Sequence, residues 1–335
     1  MKQISITELE EFHIGNAQNT EAGTGCTVVI CEEGAAAGVD VRGGSPGTRE
    51  TDALNPSNLR QSIHAVTLAG GSAFGLDAAG GVMRFLEEKG IGRDVGIVKV
   101  PIVCGAILFD LKCGDYKIRP DIKMGYEACH NAYKETPRQG NYGAGTGATI
   151  GTIKGTEYAM KGGLGMACFQ VGELMVGAVI AVNCIGDIYD KEQNKLIAGV
   201  QSEDKTALAG SEAVMLSSYE DHSDFYSGNT IIGTVITNAR LTKDQVNKLA
   251  SISHNGIARA VRPAHTIYDG DTLFTMASGK VSANLDSVAI LAAHAVEQAI
   301  LNGVKNAETA YGYTSCREFN QKCKLVIANS GNISH

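Results

Sequence analysis

The sequence predicts a layered α/β or αββα fold, on three observations. Short, nearly continuous apolar runs rich in β-branched residues recur along the chain, the pattern of strands buried on both faces. Segments with helical apolar spacing separate them, and strands covered by helices on the outside stack into layers. Glycine is abundant, 41 of 335 residues, yet it sits between apolar runs and not in low-complexity tracts; such placement suits tight turns and close backbone approach. No boundary is rich in Pro or Ser, so residues 1–335 read as one compact unit.

The elements follow in order. Cys26 to Cys31 and Ala65 to Ala69 are buried strands. Ser72 then stands where a helix N-cap belongs, Leu76, Ala79, Val82 with Met83, and Leu86 make one apolar stripe, and Gly90 suits the residue after the C-terminus. Met175 to Val182 is another strand. From Asp187 to Ser227 the chain is polar and weakly periodic, which reads as an exposed excursion. Thr230 to Thr237 is a strand, and Thr242 with Gln245 forms a capping box. The helix it opens turns Val246, Leu249, Ile252, Ile257 and Val261 inward and stops at Pro263. Thr272 to Ala277 is a strand, Asp286 to Val304 an alanine-rich helix, and Lys324 to Ala328 a closing strand.

Composition excludes several classes. With 29 Lys+Arg against 36 Asp+Glu the net charge is −7, and the basic footprint of a nucleic-acid binder is missing. Hydrophobic residues make up 44%, enough for a sizeable core. No uninterrupted apolar run reaches the roughly 20 residues of a membrane span, and the acidic stretch up to Glu11 lacks the apolar core of a signal peptide. The expectation is a soluble cytoplasmic protein with no membrane or nucleic-acid partner. Nine scattered Cys without a Cys-x-x-Cys pair, and eight dispersed His, point to reduced buried thiols and to no metal site.

Three constellations bear on chemistry. Gly143-Ala-Gly145-Thr-Gly147-Ala148 formally matches a dinucleotide fingerprint, but no hydrophobic strand precedes it; a glycine-rich turn supporting a site fits better. Ser227-Gly228-Asn229-Thr230 puts a hydroxyl at the first residue of a buried strand. If the bond before Thr230 breaks, that residue gains an α-amine beside its own hydroxyl. The amine's reference pKa of about 7.7–8.0 lets it act as a base near neutral pH, and Thr paired with its own amine is an activated nucleophile. The same residues also read as an ordinary turn, since Gly and Asn are default turn formers. Finally, Asp269-Gly270-Asp271 offers two carboxylates that can orient an ammonium or relay a proton, or simply form a polar turn.

Further motifs complete a pattern: VRGGSPGTRETD at 41–52, LAGGSAFGL at 68–76, NYGAGTGATIG at 141–151, MKGGLG at 160–165, VNCIGD at 182–187, TNARL at 237–241 and HTIYDGDTLF at 265–274. With Gly228-Asn229-Thr230 they resemble, in order and across roughly residues 13 to 304, the DmpA-type L-aminopeptidase/D-esterase family, which includes β-peptidyl aminopeptidases and nylon-oligomer hydrolases. The resemblance implies a four-layer αββα sandwich, also like that of ornithine acetyltransferases. It also implies self-cleavage into an α chain of 1–229 and a β chain of 230–335, a homo-oligomer of the processed units, and no cofactor. By the same resemblance Thr230 is the nucleophile and Asn229 the residue attacked during maturation. Asn183 is the donor near the oxyanion, and Asp269 and Asp271 are the pair that holds the nucleophile and its amine. Lys161 is a lysine that would depress that amine's pKa by like-charge repulsion.

Two positions depart from relatives. Where nylon-hydrolase-like members carry a catalytic lysine two residues after Gly-Ala-Thr, this chain has Thr152, with Lys154 two residues further on. β-Peptidyl aminopeptidases bind the substrate's amino terminus with an acidic residue before a Tyr-Asp pair; the stretch from Gly105 to Asp110 has none before Phe109-Asp110. The expected activity is hydrolysis of short peptides or small amides. The alternatives are an acyltransferase of ornithine-acetyltransferase type on the same fold, and a non-catalytic protein binding a small ligand with its glycine-rich loops.

Overall fold

The computed structural model of the chain describes residues 1–219 and 228–331. The strands of its main sheet are β1 (Lys2–Ile4), β2 (His13–Asn19), β3 (Thr24–Val41), β4 (Thr48–Arg49), β5 (Ile63–Ala69), β6 (Val103–Ile107), β7 (Gly163–Val171), β8 (Leu174–Asn183), β9 (Thr230–Ala239) and β10 (Thr272–Val281). These ten join in the order β1-β7-β8-β9-β10-β3-β5-β6-β4, with β2 also on β3. The organising element is β3, 18 residues long. Its first part pairs with β2 and β5, the register to β5 breaks between Ile30 and Ala35, and residues 36–41 pair with β10. One strand thus leaves one layer and enters the next.

The helices are α1 (Ala78–Glu88), α2 (Ile122–Ala132), α3 (Ser211–Ser217), α4 (Lys243–Ala260), α5 (Leu285–Lys305) and α6 (Cys316–Gly331). Three cores define the four layers. Val28, Ile30, Ala65 and Val103 face α1 and α2. Val29, Leu68, Met166, Val179, Ile232 and Phe274 fill the space between the two halves of the sheet. Ile231, Val235, Val182 and Leu273 face α4 and α5. Alternation along β9, with Ile231 and Val235 to one side and Ile232 and Ile236 to the other, is the period of two that a strand imposes. Both sides are covered, which is why these strands read as continuous apolar runs. The architecture is the expected αββα sandwich.

Some elements differ from expectation. Ser72 does not cap α1: residues Ser72–Asp77 form a 3-10 turn, Ser72 itself has φ +54°, and the α-helix starts at Ala78. Leu76, placed on the helical stripe by spacing, therefore sits before the helix but still packs on the same core. The stretch from Asp187 is not all loop: it holds two short strands, Asp187–Asp190 and Lys195–Ala198, then α3, while Ser227 lies outside the described residues. α4 ends at Ala260 and Val261 is extended. The closing strand over Lys324 to Ala328 is wrong, for these residues belong to α6; a five-residue apolar run does not separate strand from buried helix. All nine cysteines are free thiols, eight of them buried. α5 is long and apolar enough to cross a membrane, but most of it is buried within the protein.

Candidate active site

Thr230 opens β9 directly opposite Asn183, the last residue of β8. The approach to it is narrow. Gly228 has φ +49°, and a Cβ there would stand 2.6 Å from the Phe109 ring, so only glycine fits. Asn229 then makes a parallel bridge with Asp269. Its carbonyl oxygen accepts two hydrogen bonds, one from the Gly270 N–H at 2.9 Å and one from the Thr230 hydroxyl. Its side-chain Oδ1 accepts from the Thr152 hydroxyl at 2.8 Å. Thr230 itself is only 4% exposed.

The two carboxylates stand either side of Gly270. A Cβ at this glycine would lie 2.8 Å from Thr230 Oγ1 and 2.6 Å from the Ser45 carbonyl, so its bareness lets the turn come up against the hydroxyl. Asp271 Oδ1 accepts the Ile231 N–H at 2.7 Å, and Oδ2 accepts from His265 through Nδ1 at 2.7 Å and the main-chain N–H at 3.1 Å. Asp269 Oδ2 accepts from Thr266 through its N–H at 2.9 Å and its hydroxyl at 2.6 Å. Asp269 Oδ1 is buried without a well-formed hydrogen bond, although the Ile185 N–H lies toward this carboxylate and favours its charge. Burial, and then the nearby Asp271 charge, push the Asp269 pKa up to about 7. The 42–45 turn secures this loop from behind: Arg42 N–H donates to Asp271 O at 2.9 Å and Ser45 N–H to Asp269 O at 2.8 Å.

Asn183 is fully buried. Its Oδ1 accepts from Thr149 N–H at 2.9 Å, and its Nδ2 points to the carbonyls of Phe109 (3.3 Å) and Gly228 (3.4 Å), both long contacts. Lys161 is also fully buried. Its Nζ donates to the carbonyls of Gly145, Ala148 and Gly162 at 2.9–3.0 Å, and burial lowers its pKa to about 8. These bonds go to the glycine-rich turn and not to Thr230 or Asn229. Lys161 faces Thr149 in a short ladder, so it supports the residue that holds Asn183. Thr230, Asn229, Asp269, Asp271 and Asn183 thus converge directly, with Lys161 beneath them.

Thr152, Gly270, His265 and Thr266 also touch these residues and had no role in the sequence reading. Thr152 stood out only as a departure from relatives. Thr266 and Asp269 have the three-residue spacing of a side-chain-capped turn, a signal that was available. The His265 contact depends on a turn geometry that spacing does not encode. Beside the site lies a narrow crevice of about 10 Å³, room for about one water, lined among others by Phe109, Asp110, Cys113, Thr149, Thr152 and Tyr313. A wider acidic cleft of about 520 Å³, lined among others by Glu8, Glu11, Glu32 and Glu33, includes none of these residues, and its position away from Thr230 leaves the small crevice as the one next to the chemistry.

Fold and family together define a hydrolase of the aminopeptidase and amidase type. Residues 5–317 match the model of peptidase family S58, and the chain belongs to that family. An uncharacterized aminopeptidase of Mycobacterium leprae is 40% identical over 298 residues, covering 83% of this chain and 80% of its own. A 6-aminohexanoate-oligomer endohydrolase of a Kocuria species is 28% identical over 311 residues, 87% of this chain and 83% of its own. The solved L-aminopeptidase D-Ala-esterase/amidase of Ochrobactrum anthropi, described as a variant of the Ntn-hydrolase fold, has 18% identity and a TM-score of 0.69, over 98% of this chain and 95% of that one. That last likeness is one of fold.

Proposed function

We propose that the protein matures by cutting itself between Asn229 and Thr230 and then hydrolyses small amides or short peptides with Thr230 as an N-terminal nucleophile. The observation that carries this reading is the hold on the Asn229 carbonyl, which the Gly270 N–H and the Thr230 hydroxyl engage together. In maturation, Thr230 Oγ1 attacks that carbonyl carbon after its hydroxyl, which donates to the Asn229 carbonyl in the uncut chain, turns and passes its proton toward the Asp269 carboxylate, whose pKa is near neutrality. The Gly270 N–H meets the developing oxyanion. The C–N bond breaks as its nitrogen is protonated, an ester joins Asn229 to Thr230 Oγ1, and water hydrolyses it to leave a carboxylate on Asn229 and a free amine on Thr230.

In turnover that amine accepts the Thr230 proton, the hydroxyl forms an acyl-enzyme with the substrate, and water releases the acid. Asn183 Nδ2 is the oxyanion donor here. One of its two long contacts is the Gly228 carbonyl, which belongs to the new chain end that cleavage frees, so movement of that end releases the donor. Such a donor contributes about 3 kcal/mol. The crevice's buried carboxylate, Asp110, is tied to the scaffold by Thr24 Oγ1 at 2.7 Å and Gly71 N–H at 2.6 Å, and no acidic residue stands before Phe109-Asp110 to hold a substrate ammonium. This favours amide substrates that do not depend on a recognised amino terminus. The same reading expects a homo-oligomer in the cytoplasm, checked by light scattering and cell fractionation.

Denaturing electrophoresis with N-terminal sequencing tests the proposal. Two fragments, the smaller beginning at Thr230, should form in the unaltered chain and not in Thr230→Ala. A Thr230→Ala protein that still hydrolyses an aminoacyl-anilide would falsify the mechanism.

A further inference from the structure

We infer that His265 is a positioning residue for the nucleophile: it clamps one oxygen of Asp271 so that the other stays on the N–H of Ile231, the residue directly after Thr230. The inference rests on the Thr230 reading above and adds a residue to it. Both Asp271 Oδ2 contacts come from His265, one from the ring and one from its own backbone, while Oδ1 is left for Ile231. The ring nitrogen Nδ1 and the backbone N–H of one residue thus meet the same carboxylate oxygen, at 2.7 and 3.1 Å. His265 also adopts φ +57°, a left-handed conformation uncommon for a residue with a side chain and one that concentrates at functional sites. That conformation lets the N–H and the ring of one residue reach the same oxygen.

The surroundings keep the clamp in one state. His254 stands edge-on to His265, ring centroids 4.9 Å apart. It is fully buried, with Nε2 3.0 Å from the Asp40 carbonyl. Burial lowers its pKa to about 4, so it brings no positive charge against the His265 ring at neutral pH. Asp40 is engaged by Arg42 at 2.8 Å, and His265 Nε2 is buried without a partner. The ring therefore has one strong attachment, and it is Asp271.

Two variants separate the side chain from the backbone. His265→Asn keeps both a donor and a residue that tolerates φ > 0; His265→Gly keeps the conformation and removes the donor. Self-cleavage half-times by electrophoresis, kcat and KM of the processed protein on an aminoacyl-anilide, and Tm are measured in parallel with the unaltered chain and Thr230→Ala. For His265→Gly, self-cleavage and kcat should fall about 10- to 100-fold, the scale on which a misplaced reacting group is felt, with KM within about 2-fold. His265→Asn should recover both rates to within about 3-fold, the margin left by one replaced hydrogen bond. A His265→Gly protein with unchanged rates would overturn the inference. So would loss of rate in both variants in proportion to a fall in Tm, which would mark a merely structural histidine. An intact wild-type chain, or an active Thr230→Ala, would instead bring down the nucleophile reading itself.

Discussion

Two polar clusters lie out of water in this molecule and differ in one respect. Under the glycine-rich turn, Lys161 donates to three carbonyls and Asp110 accepts from Thr24 and Gly71. Around Thr230, His265 Nε2 is buried without a hydrogen-bond partner, and Asp269 Oδ1 without a well-formed one, with the Ile185 N–H only lying toward its carboxylate. Perturbed proton affinity does not tell them apart, since Asp110 is raised to about 6, Asp269 to about 7, and Lys161 lowered to about 8, each with burial as the leading cause. Unused hydrogen-bonding capacity does. A satisfied buried cluster fixes the scaffold, whereas one with an incompletely bonded carboxylate in the turn that borders the hydroxyl is equipped to move a proton.

The sharpest way to break this contrast is Lys161→Met. If the lysine serves the turn, three carbonyls lose their donor and unfolding in denaturant should show a loss of about 3–5 kcal/mol, with kcat of whatever folds changed far less. A kcat collapse at unchanged stability would move Lys161 into the chemistry. Asn183→Ala comes next: kcat of the processed enzyme should drop by about 100-fold or more, near 3 kcal/mol, read from steady-state kinetics.

The two aspartates then share the sign of their pH dependence and differ in how much an amide in their place costs. The folded pKa of Asp269 lies above its ordinary value of about 3.9, so the folded state holds that proton more tightly. Its stabilising contribution is full below about pH 4 and is lost as pH rises toward 7, at up to about 1.4 kcal/mol per pH unit. Asp269→Asn should therefore be more stable than the parent at pH 8 by about 1–3 kcal/mol and inactive in self-cleavage. Asp110 is raised to about 6 by the same burial, so Asp110→Asn also gains by linkage at pH 8. It exchanges two charge-assisted bonds from Thr24 and Gly71 for neutral ones, however, and its gain should be smaller than at Asp269 by about 1–2 kcal/mol. Urea unfolding at pH 5 and pH 8 separates the cases, and equal behaviour of the two variants would dissolve the contrast. In the parent, self-cleavage should rise with pH through about 7 and level off above it, as Asp269 becomes a free base. The smallest effect belongs to Thr152→Val: losing its bond to Asn229 Oδ1 should slow self-cleavage about 3- to 10-fold and amide turnover less, since Asn229 is no longer joined to Thr230 by then and Thr152 only lines the crevice beside the site.

Much of the fold was legible because strands such as β8 and β9 are apolar on both faces and end at polar or glycine residues that mark their limits. What failed was local. Ser72 reads as a cap, yet φ +54° at that residue comes from the turn after β5, and no propensity encodes it. Lys324 to Ala328 is too short a run to separate its two conformations. In the site, the residues that carry motif identity, Thr230, Asn229, Asp269, Asp271 and Asn183, converge as expected. Lys161 was readable as a residue but not as a contact, because a buried ammonium satisfied by three carbonyls looks, in one dimension, like any exposed lysine beside glycines.

The position of the 230–281 strands has a last consequence. β9 lies against β8 on one side and β10 lies against β3 on the other, so both strands that follow Thr230 are sewn between strands that precede it. A chain severed at Thr230 would not fall into two pieces: its halves would remain laced through two ladders and would part only on global unfolding. Once separated, they would have no tether to guide them back, which makes the cut a one-way commitment and the processed protein a heterodimer that assembled as a monomer.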